Sequence, residues 1–176
     1  GLGDVYKRQD NDWLIVLEEY IDGKNLAAIT DNGTIKTKQA CRYAYDICNA
    51  LTELHSLGII HRDIKPENII INSDDKAVLI DLSIARCVSE NDSKDTATLG
   101  TIGYAAPEQY GITQSGKSTD IYALGVLLNI MITGTHPAID QPGGAIRHII
   151  TKATSTQISK RYKSSKELQK ELRFFI

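Results

Sequence analysis

Residues 120–133 constrain the fold most, because they are apolar on nearly every side of a helix. A helix without a polar face is stable only when other elements cover most of its surface. Residues 145–155 and 164–175 carry two further helical patterns, and an amphipathic helix begins at Thr37. The apolar positions of that amphipathic helix, spaced alternately four and three apart, are Ala40, Ala44, Ile47, Leu51 and Leu54. The sequence therefore predicts several helices packed around a buried central one.

Short β-rich runs interrupt the helical patterns. Residues 69–71 and 77–80 are two apolar runs joined by polar turn formers, which predicts a hairpin. Residues 13–17 predict a buried strand, and Gly58 predicts the end of the helix that begins at Thr37. Residues 86–101 are polar and without period, which is typical of a mobile surface loop. The predicted fold class is α+β and mostly helical, with one small hairpin.

The length, charge and cysteine content limit which binding partners and which cellular compartment we expect. The 176 residues suit one domain, and 20 Lys+Arg against 22 Asp+Glu give no global basic field for nucleic acid or an anionic membrane. Any partner must therefore be recognised by a local group of side chains and not by the net charge of the whole chain. The three cysteines lack CxxC spacing, which favours reduced thiols in the cytoplasm. The longest apolar run is shorter than the roughly 20 residues of a membrane span, so we expect no membrane contact from this segment.

Residues 61–68 carry the most specific motif, His-Arg-Asp-Ile-Lys-Pro-Glu-Asn. This octet resembles the catalytic loop of the protein kinases. The resemblance implies that Asp63 accepts the proton of the substrate hydroxyl and that Asn68 holds Mg²⁺. Lys65 resembles the lysine with which Ser/Thr kinases neutralise the transferred phosphoryl group. We therefore expect Ser or Thr to be the acceptor.

Asp81, Leu82 and Ser83 stand where the family has Asp-Phe-Gly. The resemblance implies that Asp81 holds the Mg²⁺ that bridges the β- and γ-phosphates of ATP. Leu82 is smaller than Phe, and Ser83 lacks the access of glycine to positive φ. We expect the metal site to be kept, whereas the effect of these departures on the switching of this segment stays open.

Residues 100–108, Gly-Thr-Ile-Gly-Tyr-Ala-Ala-Pro-Glu, look like the substrate-docking segment of a protein kinase. The resemblance implies that Thr101 hydrogen-bonds toward Asp63 and Lys65. Docking of a peptide is the use that the family makes of this segment. We therefore expect protein substrates.

The resemblance implies structural roles, without direct contact with the substrate, for three more residues. Glu108 would form a buried ion pair with Arg161, because a buried carboxylate without a partner is costly. Asp120 resembles the family Asp that accepts hydrogen bonds from the backbone of the catalytic loop. A simple helix N-cap is the alternative role for Asp120.

Residues 17–23 are similar to the hinge between the kinase lobes. The backbone C=O of Glu19 and N–H of Ile21 would then meet adenine. Glu18 falls at the gatekeeper position, where a carboxylate needs a basic partner. Ile70 would form the floor under adenine, and an ordinary core position is an equal alternative.

Arg62 directly precedes Asp63, and in kinases of this type that Arg lies in a basic pocket that receives a phosphate from the activation segment. The candidate hydroxyls lie within residues 86–101, with Thr96 and Thr98 the best placed; all four are Ser89, Ser93, Thr96 and Thr98. A phosphate there would pair with Arg62, with Arg86 as a second candidate partner, and would order the loop. Solvated hydroxyls without a regulatory role are the alternative.

The resemblance is closest to the bacterial eukaryotic-like (Hanks-type) Ser/Thr kinases, and it implies ATP and Mg²⁺. Residues 1–9 resemble a translated adapter peptide, so we treat them as a non-native leader. Residues 10–22 would be the last strand of the N-terminal lobe and the hinge, and residues 23–176 the C-terminal lobe. Because the glycine loop, the strand Lys and the αC Glu are not found, we expect the chain to be inactive alone.

Two alternatives to a protein kinase remain open from the sequence. The first is a pseudokinase-like scaffold that binds partners without catalysis, although the full set of Asp63, Lys65, Asn68 and Asp81 argues against it. The second is a small-molecule phosphotransferase of related fold. The Ala-Pro-Glu segment at residues 106–108 argues against that alternative, because it serves peptide docking.

Overall fold

The structure is a computed structural model that describes residues 6–10, 13–87, 101–110 and 114–176. Helices within these residues are α1 (Leu26–Thr30), α2 (Thr37–Ser56), α3 (Lys117–Thr133), α4 (Ala145–Ala153) and α5 (Ser165–Leu172). The strands are β1 (Tyr6–Asp10), β2 (Trp13–Leu17), β3 (Gly23–Asn25), β4 (Ile59–Ile60), β5 (Ile69–Asn72), β6 (Ala77–Leu79) and β7 (Arg86–Cys87). The structure is therefore mostly helical with small antiparallel sheets, which confirms the predicted fold class.

Helix α3 is the centre of the packing, as its apolar pattern predicts. It contacts α2, α4 and α5, and most of its side chains are buried. It begins at Lys117, three residues before the predicted start, because the polar first turn lacks the apolar pattern. It ends at Thr133, and its C-cap Gly134 has a φ of 74°, in the left-handed region that glycine adopts readily.

Helix α2 forms the second layer of the core. All five apolar positions of the predicted stripe are fully buried. Gly58 follows the end of the helix with a φ of 72°, and its N–H donates to the carbonyl oxygen of His55. Helix α5 packs along α2, where the hydroxyls of Thr52 and Ser165 lie 2.8 Å apart.

The predicted hairpin is present as β5 and β6, which pair antiparallel with Ile69 opposite Leu79. Strand β3 adds to the other edge of β5, and β4 pairs with β7. The sequence did not predict β3, β4 or β7. These strands have only two or three residues, which is too short for an alternating pattern to show.

Strand β2 pairs antiparallel with β1, with Tyr6 opposite Leu17. Strand β1 includes residues 6–9, which are expected to belong to a non-native leader. The assignment of residues 1–9 as non-native stays a prediction.

The cysteines are free, and two of them belong to the core of α2. Cys41 and Cys48 are fully buried, and burial raises the pKa of the Cys41 thiol to about 12 and that of Cys48 further. Cys87 is exposed. Among the described residues, no helix has the length and apolar content needed to cross a membrane.

Candidate active site

The carboxylate of Asp63 is the point at which three functional side chains meet. Lys65 Nζ lies 2.8 Å from Asp63 Oδ2, Thr101 Oγ1 donates to Oδ1 at 2.7 Å, and Asn68 Nδ2 donates to Oδ2 at 2.9 Å. Lys65 Nζ also donates to Thr101 Oγ1 at 3.0 Å. Both contacts expected of Thr101 are therefore present, and they join the catalytic loop to a segment 38 residues later.

Asp63 is placed to act as a base because it is held in its ionised form. Burial alone would raise the pKa of this carboxyl, but the hydrogen bonds from Lys65, Thr101 and Asn68 outweigh it and leave the pKa below its usual range. The side chain is 11% exposed, so its carboxylate remains reachable from solvent. The arrangement offers a charged acceptor beside a lysine.

Asp120 accepts hydrogen bonds from the backbone of the catalytic loop. Its carboxylate accepts the N–H of His61 at 3.0 Å and that of Arg62 at 2.8 Å, and it lies 2.8 Å from His55 Nε2. Arg62 has a φ of 68°, a conformation that costs a non-glycine residue about 1–3 kcal/mol and needs support from its surroundings. The N-cap of α3 is Gly116, so Asp120 contacts the loop and does not cap the helix.

His61 links the catalytic loop to the strand that precedes Asp81. Its side chain is fully buried, its Nδ1 accepts the N–H of Asp63 at 3.3 Å, and its Nε2 lies 3.3 Å from the carbonyl oxygen of Ile80. These partners assign the hydrogen to Nε2, and burial lowers the pKa of the ring. The backbone N–H of Ile80 donates to the carbonyl of Asn68 at 2.9 Å, which brings Asp81 next to Asn68 in the fold.

Asp81 is exposed and has a φ of 66°. Its Oδ1 accepts the N–H of Ser83 at 2.9 Å. Ser83 is not among the described non-glycine residues with positive φ, so the lack of glycine there introduces no strain. Leu82 packs partly buried against the hydrophobic core.

Asn68 and Asp81 fit a magnesium ion by the chemistry of their donors. Mg²⁺ prefers oxygen ligands and is commonly bound by one or two protein groups together with water and phosphate oxygens. Asn68 uses Nδ2 for both of its side-chain donations, so its amide oxygen lies on the opposite side of the group. No group of three or more His, Cys, Asp or Glu side chains that could hold a metal is found in the described ranges, so water or phosphate oxygens would complete the coordination.

Glu108 and Arg161 form a buried, bidentate ion pair. Arg161 Nη1 lies 2.6 Å from Oε1 and Nη2 lies 2.9 Å from Oε2, with side chains 0% and 3% exposed. Burial would raise the pKa of Glu108, but the hydrogen bonds from Arg161 and Thr119 lower it below its usual range. The pair ties the segment after Thr101 to the region between α4 and α5.

The protein kinase domain model matches residues 2–176. The chain belongs to the protein kinase family. A probable serine/threonine-protein kinase PknB of Lactococcus lactis is 27% identical over 98% of this chain and 31% of its own length. Serine/threonine-protein kinases PknB of Mycobacterium leprae and Mycolicibacterium smegmatis are 37% and 38% identical over 72% of this chain. The chain spans about a third or less of the length of these relatives.

Residues 17–23, which are expected to form the hinge, lead into β3, and β3 pairs with the edge of the β5–β6 sheet. Glu19 is exposed and Ile21 is partly buried. Glu18 is also exposed, so its carboxylate is hydrated and the expected need for a basic partner does not arise in this structure. Ile70 is only partly buried and is not part of the hydrophobic core that contains its neighbours Ile69 and Ile71. Ile70 therefore faces away from the core.

Residues 86–101, which are expected to carry the regulatory hydroxyls, are described only at their two ends. The four candidate hydroxyls, Ser89, Ser93, Thr96 and Thr98, lie outside the described residues. Arg62 Nε donates to the carbonyl oxygen of Ile84 at 2.7 Å, and Arg86 pairs with Ile60 across the β4–β7 ladder. Both arginines therefore lie near the start of this segment.

Sequence reasoning missed three residues that position the site. Gln109 donates to the carbonyl of Arg62 at 2.9 Å, Thr119 donates to Glu108 at 3.0 Å, and His55 contacts Asp120. Gln109 and Thr119 each lie next to a residue that the sequence singled out. The contact of His55 with Asp120 could not be predicted, because a polar residue in the last turn of an amphipathic helix is ordinarily solvated.

Proposed function

We propose that this chain is the catalytic portion of a serine/threonine protein kinase that transfers the γ-phosphate of ATP to Ser or Thr hydroxyls of proteins. The observation that carries the proposal is the carboxylate of Asp63, contacted at once by Lys65, Thr101 and Asn68. A scaffold has no need of such an arrangement. The family and its named relatives support the same activity.

In the proposed reaction the acceptor hydroxyl oxygen forms a bond to the γ-phosphorus of ATP. The bond from that phosphorus to the β–γ bridging oxygen breaks, ADP leaves with the electron pair, and the hydroxyl proton passes to Asp63. Lys65 places a positive charge beside this point, where it would stabilise the charge of the transferred group. Mg²⁺, held by Asn68 and Asp81, would supply further neutralisation of the phosphates.

The choice of Ser or Thr as acceptor is supported by the bridge from Lys65 to Thr101. Thr101 begins the segment that ends in Glu108, and the buried pair with Arg161 fixes the far end of that segment. A docking surface anchored at both ends suits an extended peptide. We infer protein substrates on this basis.

We infer that adenine lies between the hinge and the face of the sheet that carries Ile70. The backbone of Glu19 and Ile21 would supply the hydrogen bonds, and Ile70 would supply an apolar contact. The position of Ile70 outside the core favours this role over an ordinary core role.

We further propose that a phosphate on Thr96 or Thr98 pairs with Arg62 and Arg86. Both arginines lie near the start of the segment, and a phosphate adds about −1.5 to −2 of charge with strong acceptor oxygens. Such a pair would order the polar loop next to Asp63. The reduced thiols and the use of ATP favour a cytoplasmic location.

The test compares Asp63→Asn with Asp74→Asn in a catalytic domain completed with the N-terminal lobe of a bacterial relative. Asp74 is exposed in the β5–β6 turn and serves as the matched control. We expect phosphate transfer from radiolabelled ATP to a Ser/Thr-rich protein to fall about 10²–10⁴-fold for Asp63→Asn and to be unchanged for Asp74→Asn. The 176-residue chain alone should give no turnover. Equal rates for Asp63→Asn and the parent would overturn the proposal.

A further inference from the structure

The peptide unit that joins Arg62 to Asp63 is held at both ends by side chains. Its N–H, which belongs to Asp63, donates to Nδ1 of His61 at 3.3 Å. Its C=O, which belongs to Arg62, accepts from Nε2 of Gln109 at 2.9 Å. Arg62 has a φ of 68°, a conformation that non-glycine residues rarely adopt and that needs support from the surroundings. Gln109 therefore contacts the backbone group that directly precedes the base.

The other end of the Gln109 amide is bound within the substrate-docking segment. Its Oε1 accepts the N–H of Ala106 at 2.9 Å, and its own backbone N–H donates to the carbonyl of Ala106 at 2.9 Å. A short 3-10 helix, Pro107–Tyr110, follows Ala106 directly. This reciprocal pair is a capping box, in which Glu or Gln at the third helical position binds the N–H of the residue before the helix. The capping box fixes the Gln109 side chain without help from the catalytic loop.

A neutral amide is the group that fits both partners of Gln109. The oxygen faces an N–H and the nitrogen faces a carbonyl, so the partners decide the orientation of the amide. Glu has the same length and accepts equally well from Ala106, but its ionised form has no hydrogen for the carbonyl of Arg62. Gln109 is 3% exposed, so solvent has little access to replace the lost donor. Capping alone would allow Glu or Gln, whereas the contact with Arg62 requires Gln.

The docking segment is joined to the catalytic loop at two places. At its start, Thr101 Oγ1 donates to the carboxylate of Asp63 at 2.7 Å. At its end, Gln109 reaches the backbone directly before Asp63. Between these points, the N–H groups of residues 104 and 105 both donate to the carbonyl of Thr101 at 3.0 Å, which closes a tight turn. The base and the segment are therefore held together by a side-chain contact and by a separate backbone contact.

We propose that Gln109 is a positioning residue for phosphate transfer, which keeps the carboxylate of Asp63 at a fixed place relative to the peptide bound on residues 101–106. The inference rests on the proposed kinase function. A general base must lie within hydrogen-bond reach of the acceptor hydroxyl, and a misplacement of about 1 Å can lower the rate about 10²-fold. The proposed ATP contacts lie at the hinge, Asn68 and Asp81. Loss of the Gln109 contact should therefore slow the transfer step and leave the KM for ATP unchanged.

The first experiment compares Gln109→Met with the parent in the catalytic domain completed with the N-terminal lobe of a bacterial relative. Met has a similar volume and can neither donate to Arg62 nor cap Ala106. We expect the single-turnover rate of phosphate transfer to a Ser/Thr-rich protein to fall about 10–10²-fold, with the KM for ATP within about twofold of the parent. Gln157→Met is the matched control, because Gln157 is exposed, and it should leave both values unchanged. Circular dichroism at the assay temperature verifies that each variant is folded.

Gln109→Glu separates positioning from capping. The carboxylate still accepts from Ala106, so the capping box is kept, but the donor to Arg62 is lost. Burial raises the pKa of a carboxyl, and the protonated form donates to Arg62 again. The pKa of Asp63 lies below its usual range, so the base stays ionised as the pH falls to 5.5. The rate of Gln109→Glu relative to the parent should therefore rise about fivefold or more from pH 8.5 to pH 5.5, while the relative rate of Gln109→Met stays constant.

Three kinetic results would overturn the inference. The first is a single-turnover rate for Gln109→Met within about twofold of the parent. The second is a relative rate for Gln109→Glu that does not rise as the pH falls, since that would mean that the donor to Arg62 has no role. The third is a KM for ATP that rises as much as the rate falls, which would assign Gln109 to nucleotide binding.

An amide measurement on the ¹⁵N-labelled 176-residue chain separates this inference from the proposed function. The N–H of Asp63 shares a peptide unit with the carbonyl of Arg62, so Gln109→Met should shift the amide signal of Asp63, and Gln157→Met should not. A parent without phosphate transfer would overturn the proposed function. An unmoved Asp63 signal in Gln109→Met would overturn the positioning role, whether or not the completed domain is active.

Discussion

Replacement of Arg161 by Met tests how much the buried ion pair stabilises the fold. In the parent, Arg161 donates two hydrogen bonds to Glu108, one to the carbonyl of Ser155 at 2.7 Å and one to that of Ser118 at 2.9 Å. Its guanidinium also lies 4.8 Å from the ring centre of Tyr122. Met has similar length and no charge, so the change removes these contacts with little loss of volume.

The expected cost follows from what remains buried. Glu108 keeps the hydrogen bond from Thr119, but its carboxylate is left without a cation in a side chain that is 3% exposed. Removal of one partner of a buried pair costs about 3–5 kcal/mol, and the two carbonyls that lose a donor favour the upper end of this range. For a chain of this size, 1 kcal/mol corresponds to about 2–4 °C in Tm. We therefore expect Tm to fall by about 6–20 °C.

The assays are thermal and urea denaturation followed by circular dichroism, with Arg42→Met as the matched control. Arg42 pairs with Asp75 at the surface, where the two side chains are 44% and 47% exposed. Such pairs contribute about 0–1 kcal/mol, so this variant should remain close to the parent. The double variant Glu108→Met/Arg161→Met carries no buried charge and should be more stable than the sum of the single losses predicts.

Two outcomes would refute this reasoning. The first is a loss below about 1 kcal/mol for Arg161→Met, since that is the range of a hydrated surface pair. The second is strict additivity in the double variant, which would mean that Glu108 and Arg161 do not depend on each other. Either result would also remove the argument that this pair anchors the substrate-docking segment.

Three further predictions concern pH, packing and regulation. The pKa of Glu108 is lower in the folded chain than its ordinary value of 4.5, so the ionised carboxylate stabilises the fold fully above pH 4.5. This stabilisation is lost as the pH falls through the folded-state pKa. The free energy of unfolding should therefore fall in acid for the parent, and this particular fall should be missing in the Glu108→Met/Arg161→Met variant. A Cβ on Gly125 would lie 2.6 Å from a side-chain carbon of α4, so Gly125→Ala should cost about 1–3 kcal/mol in thermal or urea unfolding, whereas Gly143→Ala, with open space, should be near neutral. In the completed enzyme, replacement of both Thr96 and Thr98 by Ala should lower kcat, and an unchanged kcat, or no phosphate between residues 89 and 98 by mass spectrometry, would exclude the proposed loop phosphate.

Helices were predictable from the sequence because each has a local pattern with a physical cause. The buried stripe of α2 repeats with the period of a helix, and the apolar run of α3 requires burial on all sides. The β5–β6 hairpin was predictable because two apolar runs flank a cluster of turn formers. These signals lie within the element itself.

Strands β3, β4 and β7, and most of the contacts that support the site, depend on partners that are distant in sequence. Strand β3 exists because Gly23 approaches β5 so closely that a Cβ would lie 2.3 Å from the carbonyl oxygen of Ile71. His55 has its role only because α3 brings Asp120 against the end of α2. No period or local composition reports such contacts, so a single sequence cannot show them.

The catalytic loop illustrates why its motif was recognisable while its support was not. Residues 61–68 have to present a base, a lysine and an asparagine from one short loop, which fixes their order and spacing in the sequence. The positive φ of Arg62 is stabilised by the carboxylate of Asp120, 58 residues later, and by Gln109, which donates to the carbonyl of Arg62. The loop conformation is therefore a property of the packed α2–α3 core. A mutation in that core should change the geometry at Asp63 without touching the motif.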